Sequence, residues 1–278
     1  MSLEISIEAL VEKYAVLLFD AYGVLVNGSG PLPGAAALTK RLADMGKPYY
    51  LLTNDSSRLP ETAAKRYQGF GLTLKSDQIL SSGSLLKRYF EDNSLGGSNC
   101  AVLGTPDSES YVQQAGGKIV GPNDQFDALV IADDDFSPFL KTLEVAFSSV
   151  CRAVDKDQCP TLLLPNPDLI YPKGGGDFGF AAGSIAAILE RALIARYGAS
   201  NSPTFVRLGK PHSGLFDEAK RRSETLNMVM FGDQIETDIA GANAAGLDSV
   251  LMGTGVGSLD STGQGTGPRP TYVLTNLS

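Results

Sequence analysis

The chain of 278 residues carries 23 Lys and Arg against 31 Asp and Glu, a formal net charge of −8, with one histidine, three cysteines and no tryptophan. A single histidine excludes a multi-histidine metal centre, and an acidic chain with no basic run argues against nucleic acid and anionic membranes as partners. Three cysteines without a C-x-x-C pair suit a reducing compartment. No apolar run approaches the ~18–20 residues of a membrane span, and the N-terminus lacks a signal-peptide pattern. A cytoplasmic protein whose chemistry runs on carboxylates is expected.

In chain order, Tyr14–Phe19 (YAVLLF) is a continuous apolar run of the kind a buried parallel strand uses. Ala35–Met45 reads as a helix stopped at Gly46, Pro48–Leu52 as a strand and Glu61–Gly69 as a helix. Cys100–Leu103, Ala128–Ala132 and Thr161–Leu164 read as strands with helices between them. Ser184–Tyr197 carries a helical apolar stripe. Phe205–Leu208, Met228–Phe231 and Asp248–Met252 read as strands, with helices over 213–223 and 237–245. This alternation predicts parallel sheets covered by helices.

Ligands of open parallel sheets bind beyond the carboxyl ends of the strands. Asp20 follows YAVLLF, Thr53 and Asn54 follow YYLL, Gly209-Lys210 follow FVRL, and Gly232-Asp233 with Asp238 follow MVMF. Four strand ends would thus bring carboxylates, a hydroxyl and a lysine to one rim. An aspartate can act as a nucleophile, a second can share a hard cation such as Mg²⁺, and a hydroxyl, backbone N–H groups and a lysine can hold phosphate oxygens.

The segments FDAYGVLVNGSGPLPGA, LLTNDSSR, LGKPHSGLF and FGDQIETDIAGANAAG resemble, in order, the four motifs of the haloacid dehalogenase (HAD) superfamily, class IIA, the 4-nitrophenylphosphatase and nucleotide-phosphatase-like branch. Asp20 and Thr53 lie 33 positions apart, too close for a cap domain, whereas Thr53 and Lys210 lie 157 apart. The resemblance implies an α/β fold: a Rossmann-like core, a parallel sheet with helices on both faces, over 1–82 and 204–278, with a smaller α/β cap inserted over 83–203. It implies that Asp20 becomes an aspartyl-phosphate, that Thr53 and the backbone of Asn54 hold the transferring group, and that Lys210 balances charge. It implies Mg²⁺ held by Asp20, the backbone carbonyl of Tyr22 and Asp233, with Asp238 orienting metal-bound water. A small phosphorylated metabolite as substrate and a homodimer through the cap are likewise implied.

Relatives carry Asp-x-Asp at the first motif; this chain has Asp20-Ala21-Tyr22. The missing carboxylate is the family's general acid and base, whose loss typically costs ~10²–10⁴-fold. A tyrosine is a poor base but can donate a proton. Asp55 stands where many relatives have Asn, and weakens anion binding if it points inward. FDAYG also resembles the first motif of 2-haloacid dehalogenases, which attack carbon without metal. Three readings follow: a Mg²⁺-dependent phosphatase altered by Tyr22, a hydrolase acting on carbon, and a non-catalytic protein that binds phospho-ligands.

Other features read more plainly. Asp133-Asp134-Asp135 is expected to cap a helix, His212 to be an exposed first-turn residue, and the three cysteines to pack inertly. Gly253-x-Gly-x-Gly, at the start of the Gly/Thr/Ser loop 253–267, lacks the following helix of a dinucleotide site. The segment Tyr171–Phe180 is expected to face the substrate as a glycine-rich loop, with Lys173 and Asp177 reading polar groups.

Overall fold

The computed structural model describes residues 3–174, 177–253 and 267–277. The strands are β1 (Leu3–Glu4), β2 (Val16–Phe19), β3 (Val26–Asn27), β4 (Gly30–Pro31), β5 (Tyr49–Thr53), β6 (Ile79–Ser81), β7 (Asn99–Leu103), β8 (Lys118–Val120), β9 (Ala128–Ile131) and β10 (Thr161–Leu164). β11 (Ile170–Gly174), β12 (Asp177–Phe180), β13 (Val206–Arg207), β14 (Met228–Gly232), β15 (Asp248–Met252) and β16 (Tyr272–Leu274) follow. The helices are α1 (Ile7–Lys13), α2 (Ala35–Asp44), α3 (Pro60–Gly69), α4 (Leu85–Asp92), α5 (Pro106–Gln114), α6 (Phe139–Val154), α7 (Ala182–Tyr197), α8 (Gly214–Ser223) and α9 (Ala240–Ala244).

Seven strands form one sheet in the order β1-β16-β15-β14-β2-β5-β6, with every adjacent pair parallel. Side chains alternate across a strand, so the unbroken apolar runs bury both faces. Leu17, Phe19, Leu51, Val229 and Phe231 pack on one side. Val16, Leu18, Leu52, Met228 and Met230 pack on the other. Phe19 and Phe231 stack with ring centroids 4.7 Å apart, tying the two central strands together below the site.

A second parallel sheet, in the order β13-β10-β9-β7-β8, is built the same way. Leu129, Ile131, Leu162 and Leu164 pack against α6 and α7 on one face; Cys100, Ala128, Val130 and Leu163 pack against α4 and α5 on the other. The α/β architecture is therefore a large Rossmann-like sheet carrying a smaller inserted one.

Several expectations change. The run Phe205–Leu208 contributes β13, which pairs with β10 in the second sheet. Lys210 therefore arrives on chain returning from that sheet, not from a strand end of the larger one. Tyr171–Phe180 is no loop: β11 and β12 pair antiparallel, although positions 175 and 176 lie outside the described residues. The helix expected over 237–245 is split into a π-type turn, Ile235–Ile239, and α9. Asp133–Asp135 caps no helix, because α6 starts only at Phe139, after Pro138. Cys159 is exposed, while Cys100 and Cys151 are buried. Most of Gly253-x-Gly-x-Gly and of the loop 253–267 lies outside the described residues. Among the described residues no helix is long and apolar enough to cross a membrane.

Candidate active site

Asp20 leaves the end of β2 with its backbone N–H donated to the Phe231 carbonyl at 2.9 Å, so the first residue past the strand is still held in sheet register. β14, beside it, delivers Asp233, and the turn after β14 returns Asp238. One oxygen of each of these three buried carboxylates lies within 4.8 Å of the others. Their approach needs Gly23: its φ is +79°, and a Cβ there would sit 2.4 Å from Asp233 Oδ2. Glycine is the residue that tolerates that conformation and contact together.

Lys210 is the buried cation among them. Its Nζ donates to Asp20 Oδ1 at 2.6 Å, Asp238 Oδ1 at 2.7 Å and the Leu52 carbonyl at 3.0 Å. Burial works to lower its pKa, but Asp20 and Asp238 outweigh that and hold the ammonium above its ordinary range. Burial pushes the Asp20 carboxyl up, to about 7, against the downward pull of Lys210. Asp238 Oδ2 accepts the backbone N–H groups of Asp233 and Gln234, both at 3.2 Å, so both of its oxygens are engaged.

Asn54 holds the lysine backbone in place. Its Oδ1 accepts the Lys210 N–H at 2.7 Å, and its Nδ2 donates to the Lys210 carbonyl at 3.0 Å and to Asp168 Oδ1 at 2.8 Å. Gly209 permits this closeness, since a Cβ there would meet Asn54 Oδ1 at 2.4 Å. Thr53 Oγ1 accepts the Asp55 N–H at 3.1 Å. The Asp55 carboxylate accepts Ser57 N–H at 2.8 Å, Ser57 O–H at 2.6 Å and Arg58 Nη1–H at 3.0 Å. Its charge is thus met by Arg58.

These groups open into a cavity of about 400 Å³ between the sheets. Asp20, Tyr22, Thr53, Asn54, Asp55 and Arg58 line one side; Asp133, Asp134, Asp135, Asp168 and Tyr171 line the other. Burial raises both Asp133 and Asp168 to about 6. Where relatives carry the second carboxylate, this chain presents the Tyr22 phenol to the cavity, and its oxygen accepts Arg66 Nη2–H at 2.6 Å.

Sequence reading finds Asp20, Thr53, Asn54, Lys210, Asp233 and Asp238, and the structure brings them together. It places no role on Asp168, Arg58 or Arg66, and it reads Asp133–Asp135 as a helix cap and not as cavity wall. The Asn166-Pro167-Asp168 string was the available signal for Asp168: Asn166 Oδ1 accepts the Asp168 N–H at 3.0 Å, a turn that aims the carboxylate. Lys173 and Asp177 are exposed and do not line the cavity; Tyr171 does. His212 is exposed, as expected, and lies outside the cavity lining.

An oxygen-only set of clustered carboxylates is the donor chemistry Mg²⁺ prefers, and the residues present fit that ion: Asp233 and Asp20 would hold it, with Asp238 fixing the turn that carries Asp233.

A family of haloacid dehalogenase-like hydrolases matches residues 17–118, and a HAD-hydrolase-like family matches 207–278. Rat (Rattus norvegicus) chronophin is 30% identical over 254 residues, spanning 88% of this chain and 78% of its own. The chain belongs to the haloacid dehalogenase superfamily. A structure from Cytophaga hutchinsonii described as a possible sugar phosphatase of the HAD superfamily has a TM-score of 0.84 at 30% identity, covering 100% of this chain and 99% of that one. Glycerol phosphate phosphatase of Mycobacterium tuberculosis, in complex with magnesium, has a TM-score of 0.79 at 25% identity, covering 96% and 77%. Within the superfamily the relatives it resembles include phosphatases, and the chain is a hydrolase of the phosphatase-like kind.

Proposed function

We propose that this HAD hydrolase is a Mg²⁺-dependent phosphatase of small phosphate monoesters that works through an aspartyl-phosphate on Asp20, with residues 83–203 as its cap. The observation that carries the reading is that Lys210 bonds both Asp20 and Asp238, that one oxygen each of Asp20, Asp233 and Asp238 lies within 4.8 Å of the others, and that Asp20 opens this cluster to a cavity. The magnesium-bound structural neighbour supports the choice of ion. Mg²⁺, when bound, offsets negative charge on the phosphoryl oxygens.

The chain's own residues do the rest. An Asp20 oxygen attacks phosphorus while Lys210 keeps the buried carboxylates neutralised and offers charge to the phosphoryl group. The Thr53 hydroxyl and the Asn54 backbone take phosphoryl oxygens, and Asp168 keeps Asn54 from turning. Leaving-group specificity falls to the walls. Arg58 is bonded to Asp55, so among the described residues Asp133, Asp134, Asp135 and Asp168 have no cation of their own in the lining. A second anionic group on the substrate is repelled; an amine or hydroxyls are accepted.

The test is turnover of a phosphate-monoester panel with and without chelator. Mg²⁺-dependent release of phosphate, abolished in Asp20→Asn with an unchanged melting temperature, is the expected result, with amino-alcohol and polyol phosphates ahead of phosphorylated carboxylic acids. Phosphate binding without turnover across the panel would instead make the chain a binding protein. Halide release from a 2-haloacid, unaffected by chelator, would indicate attack on carbon, a reaction that leaves Asp233 without a task.

A further inference from the structure

Cleaving an alkyl phosphate expels an oxygen that needs a proton, and the second reaction half needs a group to take one from water. Position 22, two residues past the nucleophile on the cavity wall, carries a phenol. Its hydroxyl oxygen accepts a hydrogen bond from Arg66 Nη2 at 2.6 Å, and among the described residues its own O–H donates to no protein atom. The phenol proton therefore remains uncommitted while the oxygen is held by a cation.

Arg66 is placed for that task by three features. It sits on α3, which follows the phosphate-side segment 54–59, and its guanidinium lies 5.6 Å from the Tyr22 ring centroid and 5.5 Å from that of Phe70. Two aromatic faces fix its position. Among the described residues it enters no ion pair, unlike Arg58, whose charge goes to Asp55. Its Nη1 is buried without a hydrogen-bond partner, a state that ordinarily costs stability. The charge is thus held beside the phenol, with no carboxylate paired to it among the described residues.

We infer that Tyr22 and Arg66 form a proton-transfer pair, Tyr22 as the catalytic residue and Arg66 as its positioning and charge-balancing partner. As Asp20 forms its bond to phosphorus and the ester P–O bond breaks, the Tyr22 O–H passes its proton to the leaving oxygen, and the phenolate so formed is met by the guanidinium. When water attacks the aspartyl-phosphate, one water proton returns to the phenolate, the Asp20–phosphorus bond breaks, and phosphate leaves with Asp20 and Tyr22 restored. This inference rests on the phosphatase reading above.

Leaving-group dependence tests it, because a proton donor matters most when the departing oxygen is strongly basic. The full-length protein, with Mg²⁺, is assayed on 4-nitrophenyl phosphate and on glycerol phosphate. Arg66→Met should lower kcat by only a few-fold on the aryl ester and by about 10²-fold on the alkyl ester, the range of a general acid. Arg66→Lys should recover part of the alkyl-ester loss. Tyr22→Phe should show the same selective loss, and Tyr22→Phe combined with Arg66→Met should be no slower than Tyr22→Phe alone. Equal losses on both esters, or losses that multiply in the double variant, would overturn the pair and leave the phosphatase reading intact. A wild-type protein inert on both esters would overturn that reading and the pair together. If Arg66→Met melts early, Arg66→Gln and Arg66→Lys carry the same comparison.

Discussion

Lys210 has two carboxylates for neighbours and almost no water to screen them. It is 2% exposed, and its ammonium lies 2.6 Å from Asp20 and 2.7 Å from Asp238. Removing one partner of a buried ion pair strands the other charge and typically costs ~3–5 kcal/mol. Lys210→Met, unfolded in urea with chelator present, is therefore expected to lose stability of that order, and in a separate assay with Mg²⁺ to lose its turnover. A loss under ~1 kcal/mol, the range of an exposed pair, would show that solvent reaches the site. Residues such as Lys210 and Asp20 are legible in the sequence because each follows an apolar run within two or three positions. The Tyr22–Arg66 contact is not, since it joins residues 44 positions apart whose meeting depends on how α3 packs.

At the scale of elements, the segment after β5 is held by the second sheet's own helix. Thr105 Oγ1 donates to the Ser57 carbonyl at 2.6 Å, Ser108 Oγ to the Ser56 carbonyl at 2.9 Å, and Asp107 accepts the Leu59 N–H at 2.9 Å. Tyr111, on α5, donates to the Arg58 carbonyl at 2.6 Å and lies 2.6 Å from Ser81 Oγ. The loop that presents Asn54, Asp55 and Arg58 to the cavity thus has its shape set across the two sheets. Tyr111→Phe unpairs two groups in a buried setting, so about 1–3 kcal/mol is expected, read as a lowered urea midpoint with an unchanged m-value. An unchanged midpoint would mean that the loop is held from its own side. β2, β5, β14 and β15 of the larger sheet and β7, β9 and β10 of the smaller are legible because their patterns are local; the short outer strands β1, β16, β6 and β8 go unread, since two or three residues carry no period. β11 and β12 are not legible either, because Pro172 and the glycines around position 175 read as loop, and pairing with a neighbouring strand overrides that composition.

For the whole molecule, one unassigned surface has the chemistry of an interface. Leu169, Ile170, Phe178 and Phe180 are exposed on and beside the β11–β12 hairpin, Phe180 at 72%. Apolar groups gathered on one hairpin are the kind of patch that a partner covers. The homodimer through the cap that the resemblance implies would use it, and the hairpin also supplies Tyr171 to the cavity. Phe180→Ser is expected to shift the protein from dimer to monomer in light scattering at micromolar concentration. A wild-type protein that is monomeric at high concentration would remove this assignment.

The amino-acid sequence by itself determined parallel sheets covered by helices and singled out Asp20, Thr53, Asn54, Lys210, Asp233 and Asp238 as candidates, and four of its segments resemble the superfamily's motifs in order. The strands and the candidates rest on a short-range pattern, an apolar run of strand length and a polar residue near its end; the motif order rests on the resemblance. Only the tertiary structure decided that Lys210 arrives from the second sheet and that Asp168 reaches Asn54. It also decided that Asp55 is answered by Arg58, that Asp133–Asp135 faces the cavity, and that Tyr22 turns to Arg66. For Lys210, Asp168 and Asp133–Asp135 the reason lies between the two sheets, whereas Asp55 and Tyr22 meet their arginines within the larger sheet's own unit, where the turn after β5 and the packing of α3 set the partner. Sequence spacing says where along its own element a side chain stands, but which charge it meets across the cavity depends on how two separately built sheets come together.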